Sequence, residues 1–264
     1  MTKFQKEFLT QNKDLIFDRF KYKYPGCSEK QFEDYYQQYC NLKPFKASGN
    51  IFESGQDISA EVHYLMRLIV QFFFEQAFDA MLIDLNDPNV KEDLEHGNIG
   101  TPGRLAKIFC GASVSDDTEL GSGRWNHKPR IATFPNEDDS RIPITKRVDI
   151  NSSCSHHTIP FGTLYSPESY AIVSYIPGKF VLGISKLQRL VNWVAKRYWL
   201  QEDLTKAIWK VVAEAAQTKD VYVKLCNIRH GCEFLRGAQT KDGSFTSEYY
   251  DGEFKNKDLR SQIN

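Results

Sequence analysis

The sequence predicts an α+β fold with an antiparallel sheet. Three observations carry that expectation: helical periodicity dominates up to residue 111, two extended segments follow, and two amphipathic helices separate those from two further extended segments. With 264 residues, 41% of them apolar and 13% aromatic, the chain has ample material for a core and is too rich in large side chains for a disordered polymer. The expected organisation is an N-terminal helical extension over 1–55, a helical region over 56–111, a long loop over 112–140 and the α+β domain proper over 141–264.

The elements follow in order. Two helices fill the first fifty residues, separated by the turn signal Tyr24-Pro25-Gly26. The second opens at Ser28 with Gln31 three positions on, a capping-box pattern. Residues 56–85 form the longest helical candidate, because Ile58, Val62, Leu65, Ile69, Phe72, Ala80 and Ile83 keep near-helical spacing. Asn86-Asp87-Pro88 ends it, and Thr101-Pro102 opens another helix with threonine as N-cap and proline at the first helical position. Residues 112–140, rich in Ser, Asp, Gly and Pro, read as a loop. Ile142–Ile150 alternates at period two, and Tyr170–Ile176 does so in part. Ile184–Tyr198 and Asp203–Ala216 read as helices, and Val221–Cys226 and the segment around Phe234 as strands.

Thirty-four basic and 34 acidic side chains balance to zero, so no basic field exists to drive counterion release, and no nucleic-acid partner is expected. Any anion site must be built locally. The most apolar stretch, Leu65–Leu85, is broken by Arg67, Glu75, Asp79 and Asp84, so no membrane span is expected either. The N-terminus lacks the apolar core of a signal peptide, which makes the cytoplasm the expected compartment. Six cysteines over this length do not make a disulfide scaffold.

Cysteine and histidine crowd together in two short segments, Ser153-Cys154-Ser155-His156-His157 and Arg229-His230-Gly231-Cys232, each directly after a strand. The Cys-x-x-His pair can place a thiolate and an imidazole on one ion. Cys232 would complete three protein ligands with one open position, the coordination of catalytic zinc. A structural site would want a fourth ligand, with His156 or His230 as spares. Spacing alone also accommodates ordinary loop histidines and buried thiols.

The flanking residues carry a family resemblance. Cys154-Ser155-His156-His157-Thr158-Ile159-Pro160-Phe161-Gly162 resembles the CEHHxxPF-G signature of GTP cyclohydrolase I. Tyr175-Ile176-Pro177 followed by Gly183-Ile184-Ser185-Lys186-Leu187-Gln188-Arg189 is similar to its YIP…GLSKxxR segment, and Gln201-Glu202-Asp203-Leu204-Thr205 to its QERLT. His230-Gly231-Cys232 with Leu235-Arg236-Gly237 resembles HxCMxMRG, and Thr101–Ile108 resembles TPxRxAKM. The resemblance implies a T-fold, an antiparallel sheet with two helices on one face, assembled as a decamer of two pentameric rings. It implies hydrolytic opening of the GTP imidazole ring at C8, release of formate and formation of 7,8-dihydroneopterin triphosphate for a pterin or deazapurine pathway.

Carried over by position, Cys154, His157 and Cys232 would hold zinc, and His156 and His230 would move protons, a task suited to a side chain titrating near neutrality. Glu202 and the backbone at Gln201 would hold the guanine edge, and Ser185 would bond near the ribose and phosphate. Arg104, Lys107, Lys186, Arg189 and Arg236 would cradle the triphosphate, partly from a neighbouring subunit. Four features depart from the family pattern: Ser155 stands where it has glutamate, Trp199 and Asp203 replace its Gln and Arg, the stretch from Gly162 to Tyr175 is longer, and the first 55 residues and the loop 112–140 have no counterpart in it. A T-fold enzyme on a related purine or pterin, and a non-catalytic ring protein that keeps its zinc, are the competing expectations.

Overall fold

A computed structural model describes residues 3–42, 58–114, 120–124, 128–137, 139, 141–235, 240 and 242–263. The described residues up to 124 form one compact unit and those from 128 a second. The first unit is helical: α1 (Lys3–Gln11), α2 (Lys13–Lys23), α3 (Glu29–Cys40), α4 (Ala60–Ala80) and α5 (Gly100–Cys110). Ser28 caps α3 in the expected box, its side chain accepting from the Gln31 N–H while the Gln31 side chain accepts from the Ser28 N–H. Ile16 and Phe20 of α2, Phe32 of α3 and Leu65, Ile69 and Phe72 of α4 share one core. Arg19 reaches across to Glu75 at 2.7 Å. His63 is a structural histidine, buried, with Nε2 2.8 Å from the Cys110 carbonyl oxygen.

Two expectations for this unit need correction. The long helix is shorter than its periodic pattern and stops at Ala80, with Leu82 in the left-handed region at φ 59°. The helix expected to begin at Pro102 opens two residues early, at Gly100, whose N–H donates to the Asn98 side chain at 3.0 Å. Thr101 therefore lies inside the helix rather than capping it, and its hydroxyl donates to the Asn89 carbonyl at 3.4 Å.

The second unit runs β1 (Thr133–Pro135), β2 (Ile144–Val148), β3 (Asn151–Cys154), β4 (Pro160–Gly162), β5 (Tyr170–Tyr175), β6 (Phe180–Leu182), α6 (Ile184–Ala195), β7 (Tyr198–Trp199), α7 (Gln201–Ala216), β8 (Val221–Ile228), α8 (Gly231–Leu235), β9 (Phe245–Tyr250) and α9 (Lys257–Ser261). Strands β2, β5, β8 and β9 form an antiparallel sheet in that order. Leu187, Leu190, Val191 and Val194 of α6 and Leu204, Ile208, Val211 and Val212 of α7 repeat at helical spacing. They bury against Val173, Tyr175, Val221, Val223 and Leu225 of the sheet, each large side chain contributing roughly 1.5–3 kcal/mol. The opposite face is covered by the C-terminal segment, where Phe254 and Ile263 pack on Ile172, Tyr222 and Cys226. Cys226 is thus a small buried apolar group on its strand.

Two further expectations are corrected here. The stretch 112–140 is not all loop, since β1 pairs with β6. Three residues are too few to show a period, and their partner lies far along the chain. Phe234 lies in α8 rather than a strand, because the His230 carbonyl accepts from the N–H groups of Glu233 and Phe234 and winds the chain into a turn. The last strand starts instead at Phe245.

Candidate active site

A second, three-stranded sheet assembles the site. β3 pairs antiparallel with β4 and parallel with β7, which sets Cys154 opposite Trp199. Because α7 begins at Gln201, this pairing delivers Gln201 and Glu202 beside the turn after Cys154. That turn is closed by the Cys154 N–H on the Ile159 carbonyl at 2.9 Å and the Thr158 N–H on the Cys154 carbonyl at 2.7 Å, with Thr158 at φ 56°.

The other wall comes from the end of β8. A register shift between Leu225 and Ile228, with Asn227 at φ 53°, inserts an extra residue, so Cys226 faces one side of the sheet and Ile228 the other. A bulge bends its strand and re-aims the side chains beyond it, here those of Arg229–Cys232. The walls meet closely: Phe161 forms a bridge with His230, and the Gly162 N–H donates to the Arg229 carbonyl at 3.4 Å. A side chain at Gly231 would place its Cβ 2.6 Å from Ile159 Cγ2 and 2.9 Å from the Pro160 carbonyl oxygen, so only glycine lets α8 approach β4. The enlarged turn after Gly162 supports this corner, since buried Ser169 donates to the Asn227 carbonyl at 2.8 Å and accepts from the Arg229 N–H at 3.2 Å.

Between the walls, one ligand atom each from Cys154, His157 and Cys232 lies within 4.8 Å of the others, with Cys154 Sγ and His157 Nδ1 3.8 Å apart. Among the described residues it is the only such group, and no fourth protein donor joins it. Two thiols and an imidazole suit zinc, whose bonds of about 2.3 Å to sulfur and 2.0 Å to nitrogen place tetrahedral donors about 3.5–3.8 Å apart. The observed spacing needs only a small closure. Burial first, and then the adjacent Cys154 sulfur, push the Cys232 thiol up from its ordinary value. Paired thiols of this kind ionise together when a cation sits between them.

These ligand atoms open on a cavity of about 590 Å³ that Cys154, His156, His157, Gln201, Glu202, His230 and Cys232 all line. His230 stacks on Phe161 with centroids 4.5 Å apart, meets Phe245 edge-on at 5.6 Å, and holds Nε2 2.8 Å from Gln201 Oε1. Burial draws the His230 imidazolium down from its ordinary value, while Glu233 and Glu202 oppose the shift. His156 is exposed, its ring edge-on to His157 at 6.0 Å.

A sequence profile of the GTP cyclohydrolase I family matches residues 74–264. The chain belongs to the GTP cyclohydrolase I family. Curated relatives agree. A protein named GTP cyclohydrolase 1 from Wigglesworthia glossinidia brevipalpis is 29% identical over 216 residues, covering 81% of this chain and 85% of its own length. One from Pyrobaculum aerophilum is 32% identical over 165 residues, covering 61% of this chain and 80% of its own. One from Blochmanniella pennsylvanica is 33% identical over 166 residues, with 62% and 69% covered.

Within this family frame, three of the remaining residues expected at the site, all in the second unit, fall outside the cavity lining. Ser185, Lys186 and Arg189 belong to α6 and are not among its lining residues. Arg104 and Lys107 belong to α5 in the first unit, where Arg104 spans the Asn98 and Thr101 side chains and the Asn89 carbonyl. Arg236 lies outside the described residues. Conversely, Glu233, Phe245 and Ser247 line the cavity although the sequence pattern assigns them no role in a site, and Trp199, one of the departures from the family pattern, lines it too. Trp199 turns its indole N–H away to the Val194 carbonyl at 2.8 Å and offers the cavity an apolar wall. Ser155 is not among the lining residues, and its N–H donates to the Trp199 carbonyl. No helix among the described residues is long and apolar enough to cross a membrane.

Proposed function

We propose that Cys154, His157 and Cys232 hold a zinc ion at the floor of this cavity, and that GTP binds above it. Family membership carries the activity: the chain is an enzyme that hydrolytically opens the imidazole ring of GTP, releases formate and yields 7,8-dihydroneopterin triphosphate. The observation that supports the zinc assignment is the convergence of the three donors, from two distant segments, on a cavity that also holds His230 and Glu202. When bound, zinc supplies a Lewis acid that lowers the pKa of water to about 7.

The chain's own residues do the rest. Glu202, in the first turn of α7, accepts two N–H bonds from the guanine edge and so rejects adenine, and the Gln201 backbone adjoins it. His230 and His156, on opposite walls, exchange protons with the purine nitrogen and the ribose oxygen. Phe161 and Phe245 hold the His230 ring while excluding water from its faces. Ser185, Lys186 and Arg189, with Arg104, Lys107 and Arg236, bind the ribose and triphosphate. That Ser185, Lys186 and Arg189 are not among the cavity's lining residues fits a cradle completed by a neighbouring subunit in a T-fold ring, two pentamers forming a decamer.

The test couples metal analysis of purified protein to a formate-release assay with GTP. The expected result is one zinc per chain, formate release and a product that fluoresces as a pterin after oxidation. Zinc-loaded protein that yields neither formate nor pterin over mildly acid to alkaline pH would overturn the reading.

A further inference from the structure

We infer that Thr205 and Ser247 are positioning residues for His230: a one-way chain of hydroxyl and amide protons, anchored on the α7 backbone, sets which ring nitrogen of His230 carries hydrogen. The inference rests on the reading of His230 as a proton-transfer group.

The chain comes from counting protons. Thr205 Oγ1 lies 2.8 Å from the Gln201 carbonyl oxygen. A carbonyl only accepts, so the single hydroxyl proton of Thr205 is committed there. Thr205 Oγ1 also lies 2.8 Å from Ser247 Oγ, a contact that then needs the Ser247 proton. Ser247 Oγ, its own proton spent, accepts from Gln201 Nε2 at 2.9 Å. The Gln201 amide is thereby oriented with Oε1 toward the histidine, 2.8 Å from His230 Nε2. That oxygen accepts only, so Nε2 bears the hydrogen and Nδ1 is left with the lone pair.

The opposite orientation fails on the same count. With Oε1 turned to Ser247, the serine proton would go to the amide, and the Thr205–Ser247 contact would set lone pair against lone pair. Gln201 and Thr205 are both buried, at 5% and 1% exposed, so water does not easily repair a broken link. Phe161 and Phe245 hold the ring against swinging away. A proton-transfer histidine in the wrong tautomer has its lone pair on the wrong nitrogen, and enzymes lose rate heavily when a tautomer is misassigned.

The experiment uses zinc-loaded full-length protein with labelled histidine, read by solid-state NMR through ring nitrogen and Cδ2 shifts at mildly alkaline pH. The His230 signals are assigned by their loss in His230→Gln. The expected wild-type ring carries hydrogen on Nε2, and Thr205→Ser, which keeps the hydroxyl, leaves it so. Thr205→Val frees the Ser247 proton for the amide oxygen. Gln201 then turns, the ring shifts toward the Nδ1–H form, and kcat on GTP falls about 10–100-fold with KM unchanged. Ser247→Ala, on the half-buried edge strand, removes the amide's acceptor, gives a mixture of tautomers and serves if the valine variant fails to fold. A wild-type ring protonated on Nδ1, or variants that keep the wild-type signals, would overturn the inference. A protein that shows all the expected ring signals yet never turns over GTP keeps the wiring and overturns the proposed function instead.

Discussion

The two walls of the cavity each supply a cysteine of the ligand group and a histidine outside it, and they are built in opposite ways. On the β3–β4 side, His156 is exposed on a tight turn that is closed by backbone bonds. On the β8–α8 side, His230 is held by two aromatic rings and a side-chain amide, on a corner set by a bulge and a glycine that tolerates no Cβ. One histidine presents its ring to solvent, and the other is held before substrate arrives. Preorganisation costs nothing at the moment of reaction when the group is already held, so the held histidine suits a step whose geometry does not change.

The largest effect should not distinguish the walls. Cys154→Ala and Cys232→Ala are each expected to abolish both zinc content and turnover, because each removes one of three donors. Retention of full zinc by either variant would separate that cysteine from the metal. The histidines should then divide. His156→Ala and His230→Ala are both expected to cut kcat about 10²–10⁴-fold with zinc retained. His230→Ala should also cost about 1–3 kcal/mol of stability in denaturant unfolding, since it strands the buried Gln201 oxygen. His156→Ala should stay within about 0.5 kcal/mol of wild type, as exposed substitutions do. Zinc lost from His156→Ala would make that residue a ligand.

The difference between the walls also explains what the sequence disclosed. The chemistry was readable because it is dense: cysteine and histidine share two short segments, and each sits at the end of an extended run. The longer strands and both sheet-covering helices were readable because Leu187, Leu190, Val191 and Val194, or Val221, Val223 and Leu225, repeat at the period of their element. The second wall was harder to read. α8 is one turn of helix, wound around the His230 carbonyl, and five residues are too few to show a 3.6 period. On the first wall too, strands β3, β4 and β7 run only two to four residues, and β7 joins β3 from far along the chain. Ser247 and Thr205 look like ordinary polar residues until β9 and α7 are packed together. The nearest signal was Thr246-Ser247 on an edge strand after the His-x-Cys segment, which fixes neither register nor partner.

Gly231→Ala probes the contact on which both walls depend. Its Cβ would press on Ile159 and the Pro160 carbonyl, and overpacking of this kind costs about 1–3 kcal/mol. The strain should widen the gap between Cys154 and Cys232, so zinc affinity is expected to fall along with the unfolding midpoint. An alanine variant with wild-type zinc affinity would show that the corner adjusts without moving the ligands.

The smallest expected effect separates two neighbours in the enlarged turn behind His230. Glu168 approaches Arg229 at 3.5 Å, but its side chain is 73% exposed, and such pairs are worth about 0–1 kcal/mol. Ser169 is fully buried and joins two backbone groups of the His230 strand, the Asn227 carbonyl and the Arg229 N–H. Glu168→Ala should therefore leave stability and kcat within about 0.5 kcal/mol of wild type. Ser169→Ala removes the hydroxyl that bonds both backbone groups and should cost about 1–3 kcal/mol, with a fall in kcat because the bulge that aims His230 loses its brace. Equal effects from the two variants would mean that charge, not the buried hydroxyl, holds the turn against the corner. The rigidity of the second wall would then weaken with added salt, which unfolding measured at two ionic strengths would reveal.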